Sequence, residues 1–554
     1  MVNDIDPIRQ KVRDVCKKLR PIIGEKSDKL WQLYCFSDEK QRKELSMYLE
    51  LLVAKYIKED LTHEKIVLVP PSKDAAFGEY YLGDIQYENK AIYPFGIREN
   101  EWGQHVLIVG RSGSGKTNCG FWILKNLTSP EHNKSFVLFD WKRNYRDLLA
   151  IPGFEKLKVY TVGRRNIAPL RFNPLIPPRN VSPHVWLKLL IEVISHAYFL
   201  GEGVAYILQQ AIDSAYRLSG VYEGRTDNYP TFRDILRWLK TYNPKGREIN
   251  WLSSTLRATA SLCFGEMDEA VNIDNNIGVE KLLSEQAILE LDSLVVSDRI
   301  FIIETLLLWL YQYRLSSEHR EHFDHAIIIE EAHHILSQQK RNLSGGETIV
   351  ETIFRQCREL NESIIVLDQQ PAQLSAFCMA NTFVKIVMNL KYRKDVDTIN
   401  KSLLLNDNAR EYPVRLGLGQ AIVKLQDRIQ DAFLIRIPEF RIKKGMVTDE
   451  FIKKRSEKPR LSHPITPKEK AFLKDIADFP DSNVVQRYER LTISPREGTE
   501  IKTNLLTKGF IVQEDIFLAN GRIKKLRLKD AGIKSLQEGN DSLGSTADRL
   551  PTAL

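Results

Sequence analysis

Cysteine is scarce in this 554-residue chain, with six residues and no C-x-x-C pair. That scatter argues against a zinc ribbon or a disulfide framework. It points to reduced thiols, with Cys119 and Cys357 as packing residues. Long apolar runs are missing too. The richest stretches, Trp186–Leu200 and Phe301–Leu310, are short or broken by Lys188, Glu192 and Glu304, so no direct membrane insertion is expected. Met1–Arg20 is charged throughout and does not read as a signal peptide, so a cytoplasmic location is expected. Nor is there a large excess of one charge: 80 Lys and Arg against 72 Asp and Glu leave +8. Such a balance permits a nucleic-acid partner without demanding one, because binding footprints are local. With 43% hydrophobic and 27% charged residues the composition is that of an ordinary globular protein, and the length calls for two to four domains.

The most informative stretch present is His105–Thr117, HVLIVGRSGSGKT. An apolar run, Val106–Val109, leads into G-x-x-x-x-G-K-T and then into a helix expected over Asn118–Leu127, stopped near Ser129-Pro130. A buried strand, a glycine-rich turn and a helix N-terminus together make a cradle for polyphosphate. The expected nucleotide contacts are Gly110, Arg111, Ser112, Gly113, Ser114, Gly115, Lys116, Thr117 and Asn118. Lys116 would reach the β/γ-phosphates of ATP and Thr117 would ligate Mg²⁺.

Ser135–Phe139 is a second apolar strand, ending in Asp140 within FDWKRNYRDL. Strand, P-loop, helix, strand is the opening of a parallel α/β sheet. Residues 183–290 show helical periodicity and read as an insertion, after which Ala287–Leu291 resumes the strands and Ile300–Arg314 is a buried helix. His325–His333 (HAIIIEEAH) places Glu330 and Glu331 at the C-terminal end of a buried strand. Glu330 is assigned to the Mg²⁺ shell and Glu331 to the water attacking the γ-phosphate; the bland alternative is two glutamates opening a helix. Arg355 and Arg358 ride on the following helix, where they could serve a neighbouring subunit's ATP or simply form a solvated face. The strand Ser363–Leu367 then ends in Asp368-Gln369-Gln370-Pro371, with Gln369 placed to sense the γ-phosphate. Phe383–Leu390 and Gln420–Val423 are read as the last strands. Leu343–Glu347 (LSGGE) spells the signature loop of ABC transporters, but after the Walker B strand instead of before it, so it reads as a glycine-rich loop.

Around this core, residues 1–65 read as helices with Leu30, Leu33, Tyr34, Leu45, Tyr48, Leu51 and Leu52 at helical spacing, and 66–100 as a short β-rich lead-in to a core over 101–440. Residues 441–465 form a basic linker, either solvated or touching a nucleic-acid backbone. In 466–538 a capping box at Thr466-Pro-Lys-Glu469 opens the first of three helices, and runs on either side of Asn520-Gly521 suggest a hairpin. That is winged-helix order, a module that binds DNA or protein, with Arg496, Lys502 and Thr503 on the third helix and Arg522, Lys524, Lys525 and Arg527 on the wing. Residues 539–554 read as a disordered tail.

HVLIVGRSGSGKT, FDWKRNY, LRFNPL, IIIEEAHHIL, the arginine-bearing helix and the strand ending Gln-Gln-Pro occur in an order that resembles the HerA/FtsK superfamily of P-loop motors, most closely the HerA-like ATPases. YYLGDIQ and YPFGI resemble that family's lead-in, so the resemblance spans about 78–440. It implies a RecA-like α/β core, a homo-hexameric ring with ATP at subunit interfaces and double-stranded DNA in the centre. It also implies Glu331 as catalytic residue, Gln369 as sensor and Arg355 or Arg358 as the trans-acting finger. Glu330 stands where the family commonly has aspartate, and the helical N-terminus replaces its usual barrel. The leading expectation is a DNA translocase working with a nuclease or effector in end processing or defence. A conjugation or secretion ATPase at a membrane pore and an ATP-gated oligomeric scaffold are the alternatives.

Overall fold

The computed structural model describes residues 7–56, 68–87, 90–225, 229–273, 279–316, 322–339, 347–457, 466–480, 482–507, 510–518 and 521–529. Most of the LSGGE loop, part of the basic linker, Asn520 and the tail from Gly539 therefore lie outside the described residues. The chain divides into two compact units, Met1–Ile452 and Lys453–Leu554.

The first unit is built on twelve strands: β1 (Tyr80–Tyr87), β2 (Lys90–Ile97), β3 (Val106–Val109), β4 (Ser135–Asp140), β5 (Lys158–Val162), β6 (Pro169–Leu170), β7 (Gln286–Glu290), β8 (His325–Glu330), β9 (Ser363–Asp368), β10 (Val384–Val387), β11 (Gln420–Lys424) and β12 (Phe433–Arg436). They form one sheet in the order β2-β1-β12-β11-β10-β3-β9-β8-β4-β7-β5-β6. From β10 to β6 every pairing is parallel; from β10 back to β2 every pairing is antiparallel. β3, β8 and β9 are buried at every position, which is why they read as near-continuous Val/Ile/Leu runs. Alternation along each strand still sorts side chains between the two faces. Leu107, Val109, Ile327 and Ile329 join the layer made by the helical insertion. Val106, Ile108 and Ile328 join the layer made by the helix after the P-loop.

The insertion supplies helices Pro183–Tyr198, Glu202–Ser219, Phe232–Thr241 and Glu248–Leu262. LRFNPL, which starts in β6, packs against it: Asn173 Nδ2 donates to Pro230 O at 2.8 Å, and Phe172 and Leu175 are buried. In the Val296–Leu315 helix, buried Glu304 accepts from His196 at 2.7 Å and buried Asp298 from Tyr198 at 2.8 Å. No described helix is long and apolar enough to cross a membrane.

Four expectations change. The last strand of the sheet is β12, which follows Gln420–Val423 and was hidden because FLIR is too short to carry a period. The β1–β2 hairpin is no separate lead-in, since β1 pairs with β12 and extends the same sheet. In the N-terminal helices Pro7–Ile23, Glu25–Phe36 and Glu39–Tyr56, Leu33, Tyr48 and Leu51 are at least half exposed, while Leu19, Tyr34, Leu49 and Val53 are buried. The apolar residues there occupy more than one face, and the bundle covers only one. Finally, the helix Ile349–Cys357 stops before Arg358, which lies in a 3₁₀ turn.

The second unit has helices Pro467–Asp478, Val484–Arg490 and Pro495–Thr507, then an antiparallel hairpin of Ile511–Leu518 and Gly521–Leu528. The Thr466 capping box is formed on both sides. Fully buried Arg487 reaches Asp475 Oδ2 at 2.8 Å, and Arg490 Nε reaches Asp475 Oδ1 at 2.8 Å.

The hairpin edge of the first unit hangs on one arginine. Arg428 donates to the carbonyls of Ala75, Phe77 and Gly96 at 2.7–2.9 Å and pairs with buried Glu101 at 2.7 Å. Removing one partner of a buried pair leaves an uncompensated charge. Arg428→Ala should cost about 3–5 kcal/mol in urea unfolding of the first unit. Arg393→Ala, an exposed partner of Asp397, should cost less than about 0.5 kcal/mol.

Candidate nucleotide site

Every strand flanking β3 on its Walker side runs parallel to it, so the loops after β3, β4, β8 and β9 all open at one end of the sheet. There lies a cleft of roughly 460 Å³ lined by Ser112, Gly113, Gly115, Lys116, Thr117 and Asn118 from the P-loop, Lys142 and Asn144 after β4, Glu330 and Glu331, Gln369, and Lys444. The P-loop helix begins at Lys116, and Gly113 and Gly115 have φ of +75° and +111°, a backbone that only glycine adopts without strain. Gly110 is glycine for space: a Cβ would stand 2.5 Å from Ser114 Oγ and 2.8 Å from Met388 Cβ.

Three expected contacts do not line the cleft. Gly110 N–H donates to Asp368 O, Arg111 N–H to Asn389 O at 2.8 Å, and Ser114 is buried against Met388. These bonds fasten the loop to β9 and to the residues that follow β10, while the Arg111 side chain stays exposed with Nε on Asn389 Oδ1 at 2.6 Å. Asn118 borders the cleft, but its amide is engaged elsewhere, with Nδ2 on Pro438 O and Oδ1 on Phe440 N–H.

Lys116 Nζ bridges the loop, donating to Gly110 O at 2.6 Å and Arg111 O at 3.0 Å. Burial pushes its pKa down to about 8, against the pull of Glu331, Asp368 and Glu330. A lysine half stripped of water beside an anion cradle binds phosphate strongly, because little hydration remains to be lost.

The acids are arranged on two levels. Asp140 and Glu330 end neighbouring strands and are buried. Asp140 accepts the amides of Lys142 and Tyr145 at 3.0 and 3.1 Å, and Tyr145 Oη donates to Glu330 Oε1 at 3.0 Å. Burial raises both pKa values; Asp140 further opposes ionisation of Glu330, as Glu290 does that of Asp140. Glu330 Oε2 is buried without a hydrogen-bond partner. Such a pair suits a divalent cation beside Thr117. Among the described residues no three His, Cys, Asp or Glu side chains gather as a metal-holding group. Mg²⁺ takes one or two protein oxygens and completes its shell with water and phosphate.

Glu331 is the more accessible acid. Its φ of +48° is strained for a residue with a side chain, costing on the order of 1 kcal/mol. Lys142 pairs with its carboxylate and Gln369 Nε2 donates to it. Behind it, buried Asp368 accepts His333 N–H at 2.7 Å and His333 Nδ1 at 2.9 Å. Burial alone would lower the His333 pKa, but the bond to Asp368 outweighs it and leaves the group raised.

Residues 80–217 match the family model of the central domain of helicase HerA. Those residues, about a quarter of the chain, are similar to that domain, and they include the P-loop strand and the helix that follows it. No curated protein matches the chain. VirB4 of Thermoanaerobacter pseudethanolicus shares the fold at a TM-score of 0.52 and 15% identity, over 66% of this chain and 97% of that one. The plasmid coupling protein TrwB, in complex with ADP and Mg²⁺, shares it at 0.50 and 11%, over 70% and 98%.

The structure gathers Lys116, Thr117, Glu330, Glu331 and Gln369 around one cleft. It does not bring Arg355 or Arg358 there. Arg355 is exposed and pairs with Glu347 at 3.3 Å, and Arg358 Nη2 reaches Gln104 Oε1 at 3.4 Å, beside the start of β3 and so at the opposite end of the sheet. Sequence reading missed Lys142, Tyr145, Asp368, His333 and Lys444. The first two sit in FDWKRNY, where an acidic strand end beside a P-loop strand was the available signal.

Raised carboxylate pKa values mean that native Glu330 and Asp140 hold protons the unfolded chain has released. The native state then binds more protons, and stability falls as pH rises from the ordinary carboxylate range through neutrality. Without nucleotide or Mg²⁺, the melting temperature of Glu330→Gln should fall less than wild type between pH 5 and 8 and exceed it at pH 8. Parallel curves would refute the buried-acid assignment.

Proposed function

We propose that this protein hydrolyses ATP to move double-stranded DNA through a homo-hexameric ring, in concert with a nuclease or effector that acts on DNA ends or foreign DNA. The single observation that carries the hydrolysis reading is Glu331, held between Lys142 and Gln369 in the cleft that Lys116 enters. Lys116 binds and orients the β/γ-phosphates. Thr117 and Glu330 are the residues that would hold Mg²⁺, which when bound neutralises charge developing on the phosphate oxygens. Glu331 orients a water and accepts its proton; its ion pair with Lys142 holds the carboxylate in place until substrate competes for the lysine. Gln369, at the tip of the strand beside β8, links the state of that carboxylate to β9. In this reading Arg355 and Arg358 serve a neighbour's cleft, since they lie far from their own. An arginine given in trans makes hydrolysis depend on ring assembly and contributes roughly 10³–10⁵ in rate where it occurs.

The second unit is read as a winged helix contacting DNA or partner protein. Glu497, which would oppose a DNA phosphate, is paired with Lys468. Thr503 Oγ1 donates to its own helix at Thr499 O, so Arg496 and Lys502 are the better contacts.

Lys116→Ala should abolish nucleotide turnover, while Glu331→Gln should keep nucleotide bound and slow kcat by about 10²–10³; a Glu331→Gln protein that turns over normally would refute the assignment. Duplex DNA should stimulate ATP turnover, with the stimulation lost steeply as salt rises from 50 to 200 mM. Stimulation by anionic vesicles and not by DNA would favour the pore-docked ATPase. Nucleotide-dependent assembly with neither effect would favour the scaffold.

A further inference from the structure

Ile437–Asp449, the first part of what reads as a basic linker, runs past the nucleotide cleft as a strap fastened at both ends. At the near end Ile437 N–H donates to Gly419 O at 2.8 Å. Asn118 takes Pro438 O at 2.9 Å and Phe440 N–H at 2.7 Å, and Trp122 Nε1 donates to Pro438 O at 2.7 Å. The Phe440 ring packs 5.4 Å from Phe121 and 5.7 Å from Trp122. All these partners save Gly419 belong to the P-loop helix. At the far end Asp147 accepts the amides of Gly445 and Val447 at 2.8 and 2.9 Å. Asp449 takes Arg143 at 2.7 Å and Arg146 at 2.6 Å. Those partners follow directly on Lys142 and flank Tyr145. Between the two anchors, Lys444 lines the cleft with Lys116 and Glu331.

A lysine in a connector is ordinarily a solvated charge, free to sample many positions. Here the backbone on either side is tied to the two elements that build the site, so the entropy of bringing the ammonium to the cleft is already lost in folding. Lys142, the other lysine after β4, is engaged by Glu331. A nucleoside triphosphate brings several negative charges into this cleft and calls for a further cation.

We propose that Lys444 is a nucleotide ligand in cis, its ammonium binding the polyphosphate of the nucleoside triphosphate that Lys116 holds, with the Ile437–Asp449 strap as its carrier. This rests on the nucleotide reading above and adds a residue that no P-loop motif contains. It also reassigns Asn118, a motif neighbour expected to touch nucleotide, as the anchor of the strap.

The test is equilibrium binding of a fluorescent non-hydrolysable ATP analogue with Mg²⁺ to the full chain. Lys444→Ala should weaken binding about tenfold, the loss of one charge-assisted contact. Lys443→Ala, removing the exposed neighbouring charge, should bind as wild type. Hydrogen exchange supplies a second readout: the analogue should protect amides of 438–449 in wild type and less so in Lys444→Ala. Wild-type affinity in Lys444→Ala, with binding lost in Lys116→Ala, overturns the ligand role alone. So does unchanged nucleotide affinity accompanied by weaker duplex-DNA binding, which would put the charge on a DNA backbone. A wild-type protein that binds no analogue overturns the nucleotide reading and this proposal with it.

Discussion

The constraint on which this structure turns is the burial of like charge. Asp140, Glu330 and Asp368 are all buried at the C-terminal ends of neighbouring parallel strands, with Glu331 one residue further out. Burying such a group of carboxylates is costly, and the cost shows in the raised pKa values of Asp140 and Glu330. Local donors hold it: Tyr145 on Glu330, two amides on Asp140, His333 on Asp368, and Lys142 and Gln369 on Glu331. The same strain makes the site useful. A cluster that is over-supplied with negative charge welcomes a divalent cation, and the lysines that partly balance it welcome phosphate. Substrate and metal complete an electrostatic arrangement that the protein alone leaves unfinished.

That arrangement also gives the cleft mechanical reach. Glu331 touches Lys142 from the β4 turn and Gln369 from β9, so whatever alters its partners is felt by two elements at once. The β4 turn continues into Arg143, Arg146 and Asp147, which grip the strap that ends the first unit's chain. Two ion pairs joined by the β4 turn thus connect the Glu331 carboxylate to Asp449. The physical basis of this connection is contact; whether it carries coupling depends on two states of the site, the bound and the free.

Much of the core was legible because its strands are buried on both faces. VLIV, AIII and IIVL need no partner to be read as central strands, and a glycine turn or an acid at the end of each marks the chemistry. What could not be read were features made by pairing at a distance. β12 is four residues long, and only its neighbours β11 and β1 make it a strand. Leu33, Tyr48 and Leu51 share helical spacing with residues that are buried, and spacing alone cannot say which face another helix will cover. At the site, Gly110, Arg111, Ser114 and Asn118 all fit the motif, yet β9, β10 and residues 438–440 claim their polar groups. Arg355 and Arg358 lie on or just beyond the right helix, but distance from the chain's own cleft is a property of the folded sheet.

From residues alone came the glycine-rich turn, the two acids at the end of β8, the glutamine after β9 and the class of fold, because each depends on spacings of a few residues along one element. Tertiary structure decided which acid is buried and which is reachable, which cations neutralise them, and that a lysine more than 300 positions beyond the P-loop borders the same cleft. Burial and charge pairing are set by neighbours in space, and the parallel sheet brings those neighbours together from loops that the sequence keeps far apart.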